Sequence, residues 1–172
     1  PTQAALLVRF FAARFDPDAA RDGAAAAAEA FVQSLEEVAS IVDDRLLRTL
    51  GDVVDATVRT NYYAELGVGG GDSVAIKIEC ARVEHLPKPR PLYEIFVDPP
   101  RVEGVSLRFG KVARGGIRWC DRPQDFRTEV LGLVKAQQVK NAVIVPVGAK
   151  GGFVPKLLPG MIASGATREA VQ

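Results

Sequence analysis

Apolar residues recur at helical spacing through the first third of the chain. Leu6, Leu7, Phe10 and Phe11 lead to Phe15, where Asp16-Pro17 breaks the pattern. Residues 24–39 open with an alanine run and continue with Phe31, Leu35 and Val38, a second amphipathic segment. Leu46, Leu47, Leu50, Val53, Val54 and Val58 form a third stripe over 43–59, with Asp43 as the expected N-cap. The period changes to two beyond the connector Gly67-Val68-Gly69-Gly70-Gly71. SVAIKIEC (73–80), PLYEIFVD (91–98) and VSLRFGKVA (105–113) then read as strands, each set off by Pro- or Gly-rich turns. A helix is predicted over 124–140, with Pro123 at its start and Glu129, Leu133 and Gln137 on one side. AVIVPV (142–147) reads as a buried strand, and a last helix is predicted from 155 onward. Helices ahead of a mixed sheet, whose later strands are separated by a helix, predict an α/β layered fold. The expected division is a helical segment over 1–66 and an α/β unit over 67–172.

Charge sharpens this picture. Nine Lys and Arg and three acids lie between 111 and 156, whereas the whole 172-residue chain carries a net charge of only +1. Such segregation points to an anion site, and the near-neutral total argues against a general nucleic-acid binder. A chain of this length can bury roughly 70% of its unfolded surface. Pro1 in place of Met, and a last periodic segment without a capping residue, predict a piece of a longer polypeptide. No apolar run long enough to span a membrane and no signal-peptide pattern is seen. Cys80 and Cys120 stand apart without a CxxC, so neither a metal site nor a disulfide framework is expected, and a reduced cytoplasmic setting fits.

The basic stretch offers few motifs of known chemistry. GAKGG (148–152) lacks the spacing of a phosphate loop, and Asp72 breaks a dinucleotide fingerprint at 67–72, so no cofactor-binding residues are expected in this chain. Lys150 follows the predicted apolar strand and precedes Gly151-Gly152, so it reads as a loop lysine at a strand end. Such positions are common in catalysis, because glycine lets the backbone pass close to a ligand. The alternative is a solvated turn lysine. Lys135 and Lys140 are about 140° apart around a helix and cannot share a face. Lys140, at the helix end, is the better placed to approach Lys150, or else it satisfies the helix dipole. Arg114 and Arg118 bracket Gly115-Gly116, where exposed backbone N–H groups and guanidinium forks make a carboxylate or phosphate receptor. Arg118, Arg122 and Arg127 are expected to be structural, held by acids such as Asp121 and Asp125. His85 reads as a solvated loop residue, and Trp119 and Phe126 as packing residues.

KVARGGIRWCDRPQDFRTEVLGLVKAQQVKNAVIVPVGAKGGF (111–153) closely resembles the substrate-domain signature of the large NAD-specific glutamate dehydrogenases. It is also similar to the smaller glutamate dehydrogenases, with their KGGxR, a lysine-bearing helix and PxGGAKGG. DDRLLRTLGDVVDATVRTNYY (43–63) and LPKPRPLYEIFVDPPRVEGVSLRFG (86–110) resemble the large family too, so most of the chain is covered.

The resemblance implies that 67–172 is an incomplete substrate-binding catalytic domain. It implies Lys150 as the catalytic lysine, Lys140 as the ligand of the substrate α-carboxylate, and close backbone approach at Gly115 and Gly116. Arg114 stands where the smaller enzymes carry a lysine for the side-chain carboxylate; an arginine can hold a carboxylate bidentately but with different geometry. Cys120 and Ser106 depart from the serine and histidine expected at those positions. The implied reaction is NAD-dependent oxidative deamination of glutamate to 2-oxoglutarate and ammonia in a cytoplasmic homo-oligomer. NAD and a proton-transferring aspartate would be supplied beyond Gln172, so the piece alone is expected to be inactive. A related amino-acid dehydrogenase of other specificity and a non-catalytic anion-binding module are the rival readings.

Overall fold

A computed structural model describes residues 2–20, 22–64, 73–111, 115–141 (side chains to 138) and 148–157. The expected strand at 142–147, the glycine connector and most of the expected last helix lie outside these residues.

Three helices come first. α1 (Gln3–Phe15) starts at Thr2, whose Oγ1 accepts a hydrogen bond from the Ala5 N–H at 3.3 Å. It stops at Asp16, held extended by the proline that follows. α2 (Gly23–Ser34) inserts Phe31, 2% exposed, against Gly51 of α3 (Ile41–Ala56). A Cβ on Gly51 would stand 2.6 Å from the Phe31 ring, so glycine sets how closely the two helices approach. The cap of α3 is Ser40, whose Oγ accepts from the Asp43 N–H at 3.3 Å, and not Asp43 as expected. Asp43 sits in the first turn, where its charge complements the helix dipole.

The expected third helix runs too long at its end. Residues 57–60 form β1 (Thr57–Thr60), which pairs antiparallel with β2 (Val74–Glu79), and Val58 is exposed. β3 (Tyr93–Asp98) matches one alternating segment, while β4 (Val102–Arg108) overlaps the segment expected at 105–113 but starts three residues earlier and ends at Arg108. β5 (Ile117–Trp119) and β6 (Ala149–Pro155) were not anticipated. The six strands form one mixed sheet in the order β1-β2-β3-β4-β6-β5, with only β5–β6 parallel among the described strands. The helix expected at 124–140 is α4 (Phe126–Asn141), beginning three residues after Pro123.

Register shows which side chains share a face. Ile78 pairs with Glu94, Glu94 with Leu107, and Leu107 with Lys150, so these four form a row on one side of the sheet. Both α3 and α4 lie on that side. Ala56, Ile78 and Val83 make a small cluster under α3, and Val105, Leu107, Cys120, Phe126, Val130, Leu131, Val134 and Val154 make a larger one under α4. Each large apolar side chain buried there contributes roughly 1.5–3 kcal/mol. The α4 cluster therefore dominates, and it is the platform that carries the site.

Candidate active site

Lys150 is the second residue of β6, half-buried and paired with Leu107 of β4. This corrects the expectation of a loop lysine. Gly151 and Gly152 continue the strand instead of turning the chain. A Cβ on Gly152 would collide with Val130 Cγ2 of α4 and stand 3.3 Å from Cys120 Sγ. One on Gly151 would stand 3.2 Å from the Val105 carbonyl oxygen and 3.5 Å from Ile117. These glycines serve close approach of neighbouring elements, a role of strand glycines that the sequence alone does not distinguish from a turn.

The paired glycines Gly115-Gly116 lead into β5 and lie directly on the start of β6. Gly151 N–H donates to the Gly116 carbonyl oxygen at 3.1 Å, and a Cβ on Gly115 would occupy the place of the Ala149 carbonyl oxygen. The Lys150 ammonium reaches the same spot, with Nζ 3.8 Å from where a Cβ on Gly116 would stand. Two segments 35 residues apart are thus joined by the parallel β5–β6 pair, which brings Lys150 to Gly116. No acid pairs with Lys150 among the described residues.

Four other cations of the basic stretch are paired, whereas Lys111 and Lys135 are exposed. Arg118 Nε lies 2.8 Å from Glu129 Oε1, and Arg122 bridges Asp125 at 3.4 Å and Glu129 at 3.9 Å. Arg127 makes a two-pronged contact with Glu94, at 2.7 Å and 2.5 Å. Lys156 pairs with Asp98. The structural roles expected for the three arginines hold, although the partners are mainly Glu129 and Glu94. His85 is exposed, Trp119 stacks on Phe153 at 6.5 Å, and Phe126 is buried.

Lys140 lies in the last turn of α4, but its side chain is outside the described residues, as is all of Arg114. Gln137, one helical turn before Lys140, escaped the sequence reading as a polar candidate. Its carbonyl oxygen is buried without a hydrogen-bond partner among the described residues, an arrangement that native proteins seldom leave uncompensated. Its placement three residues before a candidate lysine was the available signal. The two thiols offer no nucleophile. Burial, and then the Glu94 charge, push the Cys80 thiol up to about 12, with Arg127 opposing. Burial likewise raises Cys120, with Glu129 adding to the effect. No group of His, Cys, Asp and Glu suited to a metal is found among the described residues, and no described helix is long and apolar enough to cross a membrane.

Comparison with known proteins gives the arrangement its context. A family described as "Bacterial NAD-glutamate dehydrogenase, catalytic domain" matches residues 30–172. An NAD-specific glutamate dehydrogenase of Halomonas elongata is 57% identical over 170 residues, 96% of this chain and 10% of the relative. One from Pseudomonas aeruginosa is 57% identical over 145 residues, 84% of the chain and 9% of the relative. One from Mycobacterium tuberculosis is 53% identical over 165 residues, 92% and 10% respectively. The chain thus spans about a tenth of the length of these relatives. With a family match across most of its length, the chain belongs to the bacterial NAD-glutamate dehydrogenase catalytic-domain family.

Proposed function

We propose that this chain is part of an NAD-dependent glutamate dehydrogenase that deaminates L-glutamate to 2-oxoglutarate and ammonia. The observation that carries the reading is the Lys150 ammonium, half-buried beside Gly116 with no acidic partner among the described residues, while Arg118, Arg122 and Arg127 are paired and Lys135 is exposed. The names of the relatives support the reaction.

In this reading Lys150 works at the substrate Cα. Its ammonium polarises the nitrogen substituent and, once deprotonated, helps activate the water that attacks the imino acid. Lys140 holds the α-carboxylate and Arg114 the side-chain carboxylate, two separate cations fixing a dianionic substrate in one orientation. Gly115 and Gly116 let the backbone approach that substrate. The sequence carries no dinucleotide fingerprint, so NAD is assigned to another part of the full-length enzyme, where it would accept the hydride released from Cα. Overall, glutamate, NAD⁺ and water give 2-oxoglutarate, ammonium, NADH and a proton. The proposed division is a helical segment over 1–66, which also contributes β1 to the sheet, and an incomplete substrate-binding domain over 67–172. The two buried, unbridged thiols support a reducing, cytoplasmic setting. A homo-oligomer is part of the same reading, and sedimentation of the full-length enzyme checks it.

The test compares substrates. Full-length enzyme should reduce NAD with glutamate and not with leucine, and Arg114→Leu should raise KM for glutamate at least tenfold. Preference for leucine in the wild type would replace this reading with a related dehydrogenase. The isolated 172-residue piece should show no glutamate-dependent NAD reduction.

A further inference from the structure

Glu94 is a carboxylate buried in a sheet row whose other members are Ile78, Leu107 and Lys150, and its exposure is only 7%. Its partner, Arg127, reaches over from the first turn of α4 with both prongs of the guanidinium. Two residues on, about 200° around the helix, Glu129 is gripped from the other flank by Arg118 of β5 at 2.8 Å. Phe126, Val130 and Val134 point down into the core between these two grips. Apolar contacts alone would let α4 roll or slip by a fraction of a turn over aliphatic neighbours. A bidentate pair to β3 on one side and an ion pair to β5 on the other remove that freedom. Buried pairs of this kind add little net stability but can specify register.

We infer that Glu94 and Arg127 are positioning residues for the substrate site: they fix the rotation of α4 on the sheet, and so where its last turn, with Lys140, stands relative to Lys150. The inference rests on the proposed glutamate site. Neither residue touches substrate. Glu94 lies two strands from Lys150 along the same row, roughly 10 Å at ordinary strand spacing. The pair acts through α4, and its loss should weaken substrate capture more than turnover.

The experiment replaces the pair by apolar residues in the full-length enzyme, Glu94→Leu with Arg127→Met, since such swaps commonly preserve stability. Ile78 and Leu107 flank the Glu94 position and suit a leucine. KM for glutamate should rise about tenfold while kcat changes by about twofold or less and the melting temperature holds. A purely structural role would lower the melting temperature or the active fraction and leave KM alone. Unchanged KM overturns the inference. Should the double variant fail to fold, Arg127→Lys, which keeps the charge and loses the fork, decides: a KM raised about threefold supports the inference, and wild-type KM overturns it. If wild-type enzyme does not turn over glutamate, the proposed function falls, and hydrogen exchange over 135–141 decides for the pair. Faster exchange in the double variant supports it, and unchanged protection overturns it.

Discussion

Two regions of one platform treat positive charge in opposite ways. Around the first turn of α4, Arg118, Arg122 and Arg127 meet Glu129, Asp125 and Glu94, and every guanidinium has an acid within 4 Å. Where β5 and β6 begin, the Lys150 ammonium lies against Gly116 with no acid beside it among the described residues. The sheet, the helix and the local excess of cations are shared. The difference lies in who supplies the counter-charge. At the helix start the chain supplies it and the cations are scaffold; at Lys150 the described residues supply none, and the proposed function gives that place to the substrate.

The sharpest way to break this contrast is to unbalance the paired region. Arg127→Ala strands Glu94 in the core and should cost about 3 kcal/mol in thermal or denaturant unfolding. Next comes the packing that brings β6 under α4. Gly152→Val would drive a side chain into Val130 and Cys120, and about 2 kcal/mol should be lost. A smaller, pH-dependent effect reads the same region through Cys80. Its folded-state thiol is raised from 9.0 to about 12, so its contribution is whole below about pH 9, where both states are protonated. Above that the unfolded chain ionises first, and stability falls until the folded thiol titrates near 12. Cys80→Ala should flatten this slope between pH 9 and pH 11, and the native thiol should resist alkylation at pH 8. Smallest is Arg122→Ala, an exposed pair at 3.4 Å and 3.9 Å, expected to change stability by about 0.5 kcal/mol or less.

The helices and the alternating strands β2, β3 and β4 were legible because each writes its period into a continuous segment. β1 was hidden, since Val58 extends the spacing of Val53 and Val54 and only pairing with β2 pulls Thr57–Thr60 into the sheet. β6 was hidden by Gly151 and Gly152, because glycine marks both turns and close approach and no local signal separates them. Lys150 was therefore placed in a loop, although it is the second residue of β6. The partner of Arg127 is 33 residues away in sequence, and nothing in a basic run announces a buried glutamate on a distant strand. Gln137 was visible only as one helix position among many, until burial of its oxygen set it apart.

The contrast itself is tested by one pair of variants in the full-length enzyme, Lys150→Ala beside Arg122→Ala, with kcat for glutamate-dependent NAD reduction measured on equally folded protein. Loss of a lysine that acts at the reacting carbon should lower kcat by about a thousandfold or more, while loss of a paired scaffold arginine should leave it within about twofold. Equal, modest losses in the two variants would contradict the account.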